Sequence, residues 1–265
     1  VMDHALMQNK FYIRTAEPGQ LLWSCPAAKL LKPDKMSRFL ELYGQRIKAL
    51  EPAAAAVYFG SWIGFLALGQ QYAVSTYNQS LDLSLGSLDI QLFEQEGRTL
   101  FSFKLGQAGI VNAPAEASER EDWLRTSFEA LYGGTLRPLL ESAAEAGGVA
   151  VGQLWGQFPT KFNYNMDFWL ADALQEELRE RIKEDYRYLR EELPAEVFGR
   201  SKNPMDVKIR YIEDMKHPDK QVRIKNACCQ FYRTEGGYYC YTCPRMKEEE
   251  RAERREQARA AAASV

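Results

Sequence analysis

The sequence predicts an α+β fold, an antiparallel β-meander packed with helices and followed by a short cysteine-rich segment. Three observations predict it. Residues 29–69 are apolar at helical spacing or without interruption, residues 72–105 switch to short runs of β-formers divided by polar turns, and residues 114–193 return to helical spacing. Helices, then strands, then helices imply segregated layers rather than βαβ units. At 265 residues and 46% hydrophobic, the chain is long enough to bury a large core.

The first helix is expected within "KLLKPDKMSRFLELYGQRIKAL" (29–50), where Asp34 is the N-cap candidate and Met36, Phe39, Leu40, Tyr43 and Ile47 share a face. Pro52 separates it from "AAAAVYFGSWIGFLALG" (53–69), an uncharged run that predicts a buried helix. That run is marginal in length for a membrane span and lacks basic flanks, so no span is expected and peripheral membrane contact is the minority alternative. The meander follows in "YAVSTY", "LDLSL", "LDIQLF" and "TLFSFKL"; Leu81, Leu83 and Leu85, then Leu88, Ile90 and Leu92, alternate with polar residues, so one face is covered.

Ser118 and Glu121 match a capping box ahead of Trp123 and Leu124, and Gly133-Gly134 and Gly147-Gly148 are expected to end two successive helices. A short helix is expected in "VGQLWGQF" and a long one over 166–193, closed by Pro194. The terminal "KEEERAERREQARAAAASV" reads as a solvated, fraying helix. The chain thus divides into a body (1–200), a cysteine-bearing segment (201–246) and a charged terminal helix or tail (247–265).

Thirty-four basic residues nearly balance thirty-six acidic ones, giving a net charge of −2 and no field to recruit nucleic acid. The start, "VMDHALMQNKFYI", lacks the features of a signal peptide, so a cytoplasmic location is expected. Neither a Rossmann fingerprint nor a P-loop is present, and electrons or phosphate energy from a nucleotide of the chain's own are not indicated.

Four of the five cysteines stand in "NACCQFYRTEGGYYCYTCPRM" as Cys228, Cys229, Cys240 and Cys243. A disulfide framework belongs to small exported domains, and a dithiol pair would leave the vicinal thiols unexplained. Structural zinc remains the rival, because four thiolates satisfy its tetrahedral preference. Neighbouring cysteines in extended chain point to opposite sides, however, and a [2Fe–2S] centre takes two thiolates on each of two irons. Gly236-Gly237 would let the loop fold back, and Phe231, Tyr232, Tyr238, Tyr239 and Tyr241 would form an apolar collar around the sulfurs. Cys25 reads as a packed free thiol, and His4 and His217 have no evident role.

"RIKNACCQFYRTEGGYYCYTCPRM" resembles the C-terminal segment of the FhuF-type ferric-siderophore reductases, whose signature is this Cys-Cys-x10-Cys-x2-Cys spacing. "YNQSLDLSLGSLDIQLF" and "GQLWGQFPTKFNYN" are similar, more weakly, to stretches upstream in that family, with Gln157 where the family often has Asn. The resemblance implies a [2Fe–2S] cluster on the four cysteines and one-electron reduction of an imported ferric siderophore, which loosens because hard anionic oxygens hold Fe(III) far more tightly than Fe(II). It implies as donor a ferredoxin, a flavodoxin or a flavin reductase. For the substrate surface, Arg223, Lys225 and Arg233 are the cationic candidates, and Trp155, Phe158 and Lys161 in "LWGQFPTKF" the candidates for a groove. The alternative is a non-enzymatic binding protein stapled by zinc.

Overall fold

A computed structural model describes residues 2–106 and 109–263. In chain order its elements are α1 (His4–Phe11), β1 (Ile13–Arg14), β2 (Leu21–Pro26), α2 (Pro33–Arg46), α3 (Pro52–Tyr72), β3 (Gln79–Leu81), β4 (Leu88–Gln95), β5 (Arg98–Leu105), β6 (Ile110–Asn112) and α4 (Ala117–Phe128). There follow α5 (Arg137–Gly147), α6 (Val151–Trp155), α7 (Gln157–Asp172), α8 (Glu176–Arg187), β7 (Tyr211–Glu213), β8 (Gln221–Arg223) and α9 (Glu248–Ala263). The architecture is α+β, with antiparallel-rich sheets against helices.

The main sheet runs β1-β5-β4-β2, with β1 parallel to β5 and the other pairs antiparallel. Its centre is the β4–β5 hairpin, whose tight turn places Glu96 and Gly97 at φ 51° and 71°, the left-handed pair that matches strand twist. Leu88, Ile90 and Leu92 stand opposite Leu105, Phe103 and Phe101, so one face of the hairpin is wholly apolar. That face lies on α2 and α3, where Phe101 packs edge-on against Phe39 and Tyr43.

α3 is the axis of the body. Together with the π-helical turn that continues it to Tyr77 it is long and apolar enough to cross a membrane, yet 72% of its most apolar window is buried inside the fold. α2, α5, α6 and α7 surround it. Asp185 of α8, with a side chain only 2% exposed, receives Arg120 of α4 at 2.6 and 2.8 Å and the Ser75 hydroxyl at 2.8 Å, which ties the later helices to the end of α3.

Several expectations are corrected. "YAVSTY" is not a strand; α3 runs on to Tyr72 and then widens into the π turn 73–77, because Val74 and Ser75 are drawn into the core and to Asp185. Asp34 lies in the first turn of α2 rather than at its N-cap, which is Lys32, with Pro33 opening the helix. Ser118 is inside α4 and makes no cap; Glu116 holds that place. The Gly133-Gly134 pair does not end a helix, since a π-helical segment (Glu129–Leu136) joins α4 to α5. α7 begins at Gln157, nine residues earlier than expected, with Pro159 tolerated in its first turn, and the chain breaks at Ala173 before α8.

Candidate metal centre

The cysteine segment is held against the body by close backbone approach and by amide side chains. Gly156, between α6 and α7, has no room for a side chain: a Cβ there would lie 2.6 Å from that of Ala227. Asn226 donates its N–H to Thr160 Oγ1 at 2.9 Å and its side-chain amide to the Gly156 carbonyl at 3.3 Å. Gln153 and Gln157 both donate to the carbonyl of Cys228, Gln157 at 3.1 Å. On the opposite side Leu50 N donates to Arg233 O and Glu235 N to Lys48 O, each at 2.9 Å, with ion pairs Arg233–Glu51 and Lys48–Glu235 alongside.

Within the segment, Gly236 at φ 71° turns the chain back, and Gly237 closes the turn with its N–H on Thr234 O at 2.8 Å. A Cβ on Gly237 would fall 1.8 Å from Phe231 O, so the fold-back requires glycine. The loop gathers the four sulfurs as two pairs. Cys243 Sγ lies 3.5 Å from Cys228 Sγ in a buried pair, packed with Met246, Tyr232 and Tyr239. Cys229 and Cys240 form the second, half-exposed pair, with Lys225 Nζ 3.8 Å from Cys229 and Thr242 Oγ1 3.9 Å from Cys240.

The two pairs differ in electrostatics. A thiol hydrogen bond from Cys229, helped by the Lys225 ammonium, holds Cys240 down at about 5, while Cys229 is pushed up as the donor. Burial raises Cys243 to about 11. The outer pair is therefore where a thiolate, the form that takes a metal, is favoured. Among the described residues no three His, Cys, Asp or Glu side chains converge as a single ion would need.

The terminal helix is no solvated tail. Arg251, 5% exposed, donates to the carbonyls of Tyr241 (3.1 Å), Cys243 (3.0 Å) and Met246 (3.3 Å) and pairs with Glu248 at 2.6 Å. Arg254 donates to Tyr239 O at 2.6 Å, and Arg259 pairs with Glu213 at 2.6 Å and reaches Asp214 O at 3.1 Å. Arg255 reaches the Tyr241 hydroxyl and Glu248. These arginines recur on one face of α9; Arg251, Arg254 and Arg255 grip the loop that carries Cys240 and Cys243, and Arg259 holds the end of β7.

Residues 226–245 match the family model of the FhuF 2Fe-2S C-terminal domain. The cysteine segment is similar to that domain. Such a segment carries a [2Fe–2S] cluster. The residues present fit that group, since two sulfur pairs answer the demand for two thiolates on each of two irons. No curated protein matches the chain.

The FhuF-type segment draws some of the other candidates to itself and leaves some in the core. Trp155 and Phe158 are fully buried and meet edge-on, Trp155 also meeting Phe198 edge-on, so they line no groove; the Trp-Gly stretch supports the cysteine loop instead. Arg223 is bound to both oxygens of Asp167 and to Asn163 O, and Arg233 to Glu51. Neither arginine presents a free charge. Lys225 stands at the outer sulfurs, and Lys161, on α7, lies with Nζ 4.1 Å from the centre of the Phe65 ring. The aromatic collar is partial: Tyr232 and Tyr239 cover the inner pair, while Tyr238 is 59% exposed and Tyr241 turns its hydroxyl to Glu213 O. Tyr58 escaped the sequence reading because its alternation lies inside an apolar helix; burial and the Cys229, Cys228 and Cys240 thiols push its phenol up to about 12.

Proposed function

We propose that the protein is a ferric-chelate reductase acting on an imported ferric siderophore in the cytoplasm, with Cys228 and Cys243 ligating one iron of the cluster and Cys229 and Cys240 the other. The observation that carries this is the pairing of the four thiols in a FhuF-type segment, one pair sealed beneath Tyr232 and Tyr239 and the other half-open beside Lys225. When bound, a [2Fe–2S] cluster supplies one electron at a time at low potential.

The chain's own residues do the rest. Gln153, Gln157 and Arg251 hold the carbonyls of Cys228 and Cys243, which fixes the inner sulfurs in place. Lys225 offsets negative charge at the outer sulfurs and favours the more anionic, reduced state. Reduction adds one electron to the substrate Fe(III), drawn from a ferredoxin, a flavodoxin or a flavin reductase, and the Fe(II) product is held weakly by hard oxygen ligands.

The experiment is single-turnover mixing. Protein reduced under anaerobic conditions is mixed with ferric citrate and with a ferric trihydroxamate, and Fe(II) is trapped by a chromogenic chelator. About one Fe(II) per chain, appearing as the cluster reoxidises, is expected. A reduced protein that stays reduced in the presence of both chelates contradicts the reading.

A further inference from the structure

α3 is buried on nearly all sides but keeps one partly open stripe, Tyr58, Ser61, Trp62 and Phe65, at the i, i+3, i+4, i+7 spacing of a single helix face. The stripe begins beside the cysteine cluster, where Tyr58 neighbours Cys229, Cys228 and Cys240. It runs through Trp62 to Phe65, whose rings lie 5.4 Å apart and are flanked edge-on by Tyr12. Lys161 sits over the Phe65 ring and is close enough to Lys225 for the two charges to repel, and Lys225 returns to Cys229. The six side chains close a ring that starts and ends at Cys229.

Within this ring Lys225 is answered by the outer sulfurs, whereas Lys161 is not. Among the described residues Lys161 has no carboxylate partner, and the hydrogen-bonding neighbours of the Lys225 ammonium are cysteine sulfurs. Burial, then the neighbouring Lys225, lowers Lys161 to about 8, so a cation is held there at a cost that the Phe65 ring offsets only in part. An anion resting between the two ammonium groups would offset it. Tyr58, Trp62 and Phe65 are only partly exposed, with Trp62 stacked on Phe101, so the open apolar area is small and suits a small molecule better than a broad protein surface.

We propose that this aromatic, lysine-bearing recess on α3 is where the substrate rests, and that it selects Fe(III) chelates of net negative charge. The inference deepens the reductase reading and rests on it. Trp62 and Phe65 give the organic part of the chelate an apolar wall, Lys161 and Lys225 bind its carboxylates or other anionic oxygens, and Cys229 with Cys240 lies at the recess edge.

Redox-inert gallium(III) complexes separate binding from electron transfer. With the cluster-loaded protein, binding is read from tryptophan fluorescence for anionic gallium(III) citrate and for a cationic gallium(III) trihydroxamate, in the wild type and in Lys161→Gln, Lys161→Arg and Ser61→Trp. The wild type should prefer the anionic complex, Lys161→Gln should weaken it about tenfold, and Lys161→Arg should restore most of the loss. Ser61→Trp, which fills the recess from a partly exposed position, should abolish binding with the visible spectrum unchanged. If the wild type reduces ferric citrate and all three variants bind gallium citrate as it does, the recess is overturned while the reductase reading stands. If Ser61→Trp instead blocks only reduction by an acidic ferredoxin, the recess is a donor site and the inference is again overturned. A wild type that neither reduces ferric citrate nor binds either gallium complex sinks the reductase reading together with the recess.

Discussion

The body and the cysteine segment are held together by different forces. The body is a continuous apolar core, from Phe39 and Phe59 through Phe101 to Tyr132 and Trp155, most of it at zero exposure. The segment beyond residue 205 has only a small apolar cluster of its own, Cys228, Cys243 and Met246 with two tyrosines, and relies on side-chain donors to backbone carbonyls. A core made by burial survives the loss of any one contact, whereas a loop made by specific donors and by its metal ligands depends on each. The chemistry is placed on the second kind of structure, supported by the first.

The largest test of that contrast is Cys229→Ser. It should abolish or strongly perturb the visible absorption and the Fe(II) release, with far-UV circular dichroism of the body unchanged; loss of the body's helical signal as well would show that the two regions are not independent. Next is Arg251→Ala, which removes the side-chain donor from three carbonyls, of which that of Cys243 keeps the Met246 N–H at 3.2 Å. A loss of about 3 kcal/mol confined to the segment, read as faster cluster loss to a chelator and faster amide exchange over residues 239–246, is expected.

Gly156→Ala should push the segment from the body, because the new methyl meets Ala227; about 1 to 3 kcal/mol of destabilisation is expected in denaturant titration, and an unchanged midpoint would show that the contact relaxes freely. Comparable in size, and opposite in sign, is Lys161→Met. Its folded pKa is lowered to about 8 from 10.5, so the unfolded state binds more protons between those values and stability rises with pH across that window. Removing the charge should stabilise the protein by roughly 1 to 3 kcal/mol at pH 7 and flatten that rise.

What was legible in the sequence follows the same division. The β4–β5 hairpin, the buried α3 and the amphipathic α2 were readable because periodicity and burial act locally. The cysteine spacing was readable because ligands of one metal centre must lie close in the loop. "YAVSTY" misled because β-propensity lost to a distant partner, Asp185. The arginine grip of α9 was hidden, since its targets are backbone carbonyls that any residue offers. Trp155 and Phe158 suggested a groove by their chemistry, yet only packing decides that they face inward.

The central claim, a two-iron centre on the four thiols, is tested most directly by a visible absorption spectrum of anaerobically purified protein before and after dithionite, with iron and zinc counted on the same sample. The account predicts a red-brown protein with about two irons per chain that bleaches on reduction. A colourless protein holding about one zinc would contradict it.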